Sequence, residues 1–144
     1  MKIDEILELW KADTKIDDLN LDVESTKIPN LHAKYISILS EARTRLRAYQ
    51  IQKRQLIAKL RNYYSGSATQ KDLSDLVREQ FLGKTLKNDI MTTVELDEMM
   101  ISIDAKISVF EVKISALEEI MKSINSRGYT IKNAIDWRRL TLGG

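Results

Sequence analysis

The chain contains no cysteine, one histidine and one proline. Without cysteine there is no disulfide framework and no thiolate zinc site, a composition that suits a reducing compartment. Five glycines in 144 residues disfavour a turn-rich β fold and favour helix. No apolar run approaches the roughly 20 residues needed to span a bilayer, so no membrane partner is expected. The opening "MKIDEILELW" places acids where a secretory signal needs basic and then apolar residues. A soluble intracellular protein of a single helical domain is expected.

Catalytic groups are also scarce. His32 is the only histidine, and it reads as a packed or solvated residue. No glycine-rich phosphate loop is present, which argues against a nucleotide hydrolase. Asp97 and Glu98 are adjacent and so diverge on a helix surface, with no metal-ligand spacing around them. Neither a catalytic constellation, a metal site nor a cofactor is expected; the chain reads as a non-enzyme.

The net charge of +2 hides an uneven distribution. The first 25 residues carry eight acids, from Asp4 to Glu24. Between Ala42 and Lys71 there is no acid, while Arg43, Arg45, Arg47, Lys53, Arg54, Lys59 and Arg61 fall inside that span. A long helix without acids cannot neutralise itself through i,i+4 pairs. Its field is left for a partner or for an acidic segment of another subunit.

Apolar periodicity organises the rest. An acidic N-terminal segment, 1–28, starts with a short helix from Ile3 to Ala12, with Ile3, Ile6, Leu7 and Trp10 on one face. A linker follows, with either a helical turn or a short extended piece where Leu19, Leu21 and Val23 alternate. Pro29 fits the first turn of a basic long helix, 29–64. Tyr35, Leu39, Ala42, Leu46, Tyr49, Leu56, Leu60 and Tyr63 form its heptad seam, broken only by Lys53. Gly66 supplies the left-handed stop. A short helix and loop occupy 69–90, opened by Thr69 and Asp72 as a capping box. Thr92 and Glu95 predict the start of a second long helix, 93–126, with a seam from Leu96 through Met100, Ile103, Ile107, Phe110, Ile114, Leu117 and Met121 to Ile124. "NSRG" at 125–128 reads as a helix stop, and a C-terminal helix is expected over 129–142. The fold class is all-α: two long helices in a hairpin or bundle, flanked by short terminal helices.

Cations and aromatics meet in "LIAKLRNYYSGSATQ", Leu56 to Gln70. Single strands are bound by cation tracks and by aromatic platforms under the bases. Lys53, Arg54, Lys59, Arg61 and Tyr64 are the candidates for such contact. Tyr63 continues the seam and reads as core, whereas Tyr64 lies off it. A basic run is equally a solvated face, so composition alone leaves the choice open.

"LRNYYSG", followed far downstream by "INSRGYTIKNAIDWRRL", resembles the UvsY-like recombination mediators of T-even-type phages. That resemblance implies a ring-like homo-oligomer that binds single-stranded DNA. It implies loading of a RecA-like, UvsX-like recombinase onto DNA covered by the phage single-strand-binding protein, in the cytoplasm of the infected bacterial host. The family's DNA contact is a Lys-x-Arg pair before Tyr-Tyr-Ser-Gly. Its nearest match here is Lys59-Leu60-Arg61, one residue closer to the tyrosines, with Ala58 and Leu60 at the family's basic positions. The family's oligomerisation segment maps onto Arg127 to Leu140, with Ile131, Ile135 and Trp137 as its buried contacts. Two other readings remain: a coiled-coil structural or interaction protein that binds no DNA, its basic helix docking a neighbour's acidic N-terminal segment, and a helical RNA-binding protein.

Overall fold

A computed structural model describes residues 1–143. Among the described residues six α-helices follow one another: α1 (Ile3–Asp13), α2 (Leu21–Thr26), α3 (Ile28–Tyr64), α4 (Gln70–Leu76), α5 (Ile90–Leu96) and α6 (Glu98–Thr141), with a 3-10 turn at Lys87–Asp89 before α5. No strand occurs among the described residues, and none of their helices is long and apolar enough to cross a membrane. The chain forms two compact units: Met1–Arg43 with the chain from Glu111 onward, and Thr44–Phe110. The long helices α3 and α6 contribute to both.

In the first unit Tyr35, Leu39 and Ala42 of α3 are buried, as are Leu117, Met121, Ile124 and Ile131 of α6. Ile6 of α1 and Leu21 of α2 are buried with them. Trp10 meets Tyr35 edge-on at 5.3 Å, and the Tyr35 hydroxyl donates to Asp13 at 2.8 Å. The linker settles as helix, not as an extended piece. Leu21 and Glu24, three apart, both turn inward, which a helix allows and a strand does not.

In the second unit the α3 seam packs antiparallel to α6. Leu60 is buried with Met100, Ile103 and Ile107, and Leu56, Tyr49 and Leu46 pack against that cluster. Each fully buried aliphatic side chain here contributes about 1.5–3 kcal/mol. Lys53, the one polar residue on the seam, crosses to Asp104 of α6 at 2.7 Å. The α3 end is a Schellman cap, with Gly66 at φ 77°. The Ser67 N–H donates to the Asn62 carbonyl and the Gly66 N–H to that of Tyr63. The Thr69–Asp72 capping box forms in both directions at 3.1 Å. α4 ends at Leu76, because Val77 takes φ 55° in a second left-handed cap. That conformation is strained for a β-branched residue.

Two boundaries differ from those expected. The second long helix starts at Glu98, not near 93: Thr92 and Glu95 lie inside α5, and Asp97 is the N-cap of α6, accepting the Met99 N–H at 2.9 Å. Leu96 accordingly leaves the seam and is exposed. The stop expected at 125–128 is absent, and α6 continues through Gly128 to Thr141, so there is no separate C-terminal helix. A helical glycine costs only about 1 kcal/mol, and burial of Ile124, Arg127 and Ile131 around it outweighs that. A β-carbon at Gly128 would meet only the Ile28 Cδ1, at 3.9 Å. Gly128→Ala is therefore expected to raise stability by about 1 kcal/mol, read as a higher urea midpoint; a lower midpoint would mean that the helix is interrupted there in solution.

Candidate nucleic-acid interface

The acid-free part of α3 sorts its cations by helix face. Lys53 and Lys59 are half-buried and turned toward acids of the same unit, Asp104 at 2.7 Å and Asp75 at 3.0 Å. Those partners come from α6 and α4, so part of the field that seemed left for another subunit is met inside the chain. Arg54 and Arg61 are exposed and make no ion pair among the described residues. Arg47 shares both properties. The three lie seven residues apart. On an α-helix this keeps them within about 20° per step and spreads them over roughly 21 Å. The expected set of Lys53, Arg54, Lys59 and Arg61 thus divides into two half-buried lysines and two exposed arginines. Arg47 is the member that sequence reasoning did not single out, although its spacing to Arg54 and Arg61 was readable.

The tyrosine pair is engaged on both sides. Tyr63, Tyr64 and Phe81 form a three-ring cluster with centroids 4.9 to 5.3 Å apart. The Tyr64 hydroxyl donates to Asp97 Oδ2 at 2.6 Å. Arg78 grips the same carboxylate with two bonds of 2.7 and 2.9 Å, and its guanidinium lies 5.1 Å from the centre of the Tyr63 ring. Tyr64 is therefore a packed, hydrogen-bonded anchor. It is not the unengaged stacking platform expected from its position off the seam.

Asp97 is the centre of this arrangement. Its side chain is almost fully buried, and burial alone would raise its pKa. The bidentate Arg78 bonds, the Tyr64 hydroxyl, the Met99 N–H and the Arg78 charge outweigh that effect and hold the carboxyl at about 2. Burial and then the bond to this carboxylate push the Tyr64 phenol upward. The Arg78 guanidinium is held protonated, first by its bonds to Asp97. Neither Arg78 nor Phe81 was legible as part of the site, because both reach Tyr63 and Tyr64 from a segment without regular periodicity.

The expected oligomerisation residues also divide. Ile131 is buried within the first unit and Ile135 is half-buried. Trp137 is 65% exposed, with Tyr129 and Leu140 also exposed on α6. In the same unit Arg127 is 5% exposed and donates to the carbonyls of Thr14 and Lys15 at 3.0 and 3.1 Å. It also lies 3.5 Å from Glu24 Oε2. Arg127 therefore ties α6 to the end of α1 and to α2.

Comparison with known proteins agrees with this architecture. The recombination protein uvsY of Enterobacteria phage T4 is 22% identical over 143 residues, covering 99% of each chain. Crystal structures of the bacteriophage T4 recombination mediator protein UvsY share the fold. Lattice type II has a TM-score of 0.85 at 22% identity and covers 99% of this chain and 98% of that one. Lattice type I has a TM-score of 0.83 at 21% identity, covering 95% and 98%. The family model described as "Recombination, repair and ssDNA binding protein UvsY" matches residues 9–144, and the chain belongs to that family.

Proposed function

We propose that this protein is a non-catalytic recombination mediator. It binds single-stranded DNA as a ring-like homo-oligomer and promotes loading of a RecA-like recombinase onto DNA covered by single-strand-binding protein, in the cytoplasm of the infected bacterial host. The observation that carries the reading is the row of exposed arginines, Arg47, Arg54 and Arg61, on a chain of this family. Arginine forks suit phosphate oxygens, and backbone contact of this kind needs no base-reading pattern. Lys53 and Lys59 add charge beside the row while held by their acids. Tyr64 supports the row from behind by fixing the end of α3.

Each subunit offers a modest site, and a ring multiplies it, because every further contact is intramolecular at high effective concentration. A strand held along successive arginine rows would be stretched or bent and partly freed of its covering protein. A recombinase that prefers that shape nucleates there, by differential binding. Trp137, exposed near the end of α6, is the proposed contact between subunits; Ile135, half-buried two residues earlier, lies about 200° around the helix from it, and Ile131 belongs to the core of the first unit.

Fluorescence anisotropy on a labelled oligodeoxythymidine tests the strand contact. Affinity is expected to fall with salt, with a log–log slope of about −0.7 per phosphate engaged. Replacing Arg54 and Arg61 together with Ala is expected to weaken binding about tenfold or more at low salt, with a shallower slope. Lys59→Ala should cost less, since Asp75 already compensates that charge. A wild-type affinity that does not change with salt would refute the electrostatic contact. For assembly, Trp137→Ala is expected to lower the mass seen by light scattering while leaving helix content intact. An unchanged mass would remove Trp137 from the subunit contact.

A further inference from the structure

Beside Arg61 a groove of about 510 Å³ runs between α3 and the start of α5. Ala58, Ile90 and Met91 give it apolar walls, and Arg61 and Lys87 stand on its rim. Both cations are exposed, and neither makes an ion pair among the described residues. Asn62, also in the wall, turns its amide to Asp72 at 3.4 Å, and Asp72 already accepts the Thr69 N–H. No carboxylate lines the groove. Ala58 lies four residues after Arg54 and three before Arg61, so the arginine row runs along the groove's edge and ends in it.

A ligand that fits this place has an anionic edge and a flat, weakly polar face. A nucleotide within a strand has both. We propose that the groove is a nucleotide subsite at the end of the arginine row, in which Arg61 and Lys87 hold the phosphates and Met91 with Ile90 receives the base. The polarizable thioether of Met91 suits contact with a ring face, and at 39% exposure it is reachable. The subsite rests on the single-strand reading above and adds Lys87 and Met91 to it. It also explains how a strand can find an apolar contact although Tyr63 and Tyr64 are packed inward.

The test uses the full chain, a labelled oligodeoxythymidine and an abasic strand with the same number of phosphates. Lys87 and Met91 lie at the surface, so circular dichroism should be unchanged in their variants. Lys87→Ala is expected to weaken both strands by about three- to tenfold at low salt and to make the slope shallower by about 0.7. Met91→Ala should leave the abasic strand unaffected and reduce the preference for thymidine by about fivefold, the lower end for one base platform. If Arg54→Ala weakens binding but Lys87→Ala changes neither affinity nor slope, the subsite is wrong and the strand reading stands. If the wild-type chain binds no strand, both fall. If polyglutamate displaces the oligodeoxythymidine at equal charge concentration, and does so less well from the Lys87→Ala variant, the groove takes acidic peptide and the nucleotide assignment is overturned.

Discussion

Asp97→Ala is expected to destabilise the protein by about 3–5 kcal/mol, the range for removing one partner of a buried charge pair. Three losses coincide at this position. Arg78 keeps its charge but loses both bonds to the carboxylate. The Tyr64 hydroxyl loses its acceptor. The α6 N-terminus loses the cap on the Met99 N–H, itself worth about 1 kcal/mol. Urea unfolding at fixed protomer concentration measures the sum, since assembly would otherwise shift the midpoint. A cost below about 1 kcal/mol would mean that the Asp97 carboxylate is not the organising group of this unit.

The same group sets an acid limit. Its carboxyl is held at about 2 in the folded chain, against about 3.9 in an unfolded one. The stabilisation is complete above about pH 4 and is lost as the pH falls through about 2. Asp97→Asn can keep the cap and an acceptor for Tyr64 while removing the charge. It should therefore cost less than Ala and flatten this acid dependence. Tyr64→Phe removes only the hydroxyl bond, and about 1.5 kcal/mol with it. Its strand affinity should stay near wild type, because the ring packs on Tyr63 and Phe81.

The chain signals its helices clearly where packing and local chemistry agree. The α3 seam, the glycine stop at Gly66 and the Thr69–Asp72 box were all readable, because each is decided within a few residues. Locally, Thr92 with Glu95 makes as good a helix start as Asp97 does. The difference is Arg78, nineteen residues earlier, whose guanidinium fixes Asp97 at the cap. No pattern within one helix contains that information. "NSRG" likewise has the composition of a stop, and only the carbonyls of Thr14 and Lys15 around Arg127 reveal why the helix continues. In the candidate interface the charge was legible and its sorting was not. Lys59 and Arg61 differ in role because Asp75 lies across from one and solvent faces the other. The row of Arg47, Arg54 and Arg61 was present in the sequence as a plain seven-residue repeat. It was hidden by the more conspicuous pair next to the tyrosines.

Arg127→Ala is the second substitution expected to be severe, at about 3 kcal/mol. The guanidinium donates to three consecutive backbone carbonyls, those of Asp13, Thr14 and Lys15. These include carbonyls of the last turn of α1 and of the residues just beyond it, which have no helical donor of their own. Removing the guanidinium takes that donor from all three carbonyls, and it leaves Glu24, 4% exposed, with Lys27 at 3.0 Å and the Asp17 N–H. Lys27 keeps the net charge near Glu24 balanced, which places the cost at the lower end of the range for a broken buried pair. Arg127→Lys separates charge from geometry. It restores a cation but cannot span three carbonyls with a planar fork, so it should recover less than half of the loss. Full recovery with lysine would mean that charge alone holds α1 and α2 to α6. Because Trp137 lies further along the same helix, Arg127→Ala should also lower the assembled mass in light scattering when the protomer is partly unfolded. Retention of full mass at a reduced urea midpoint would separate the α1 anchor from the proposed subunit contact.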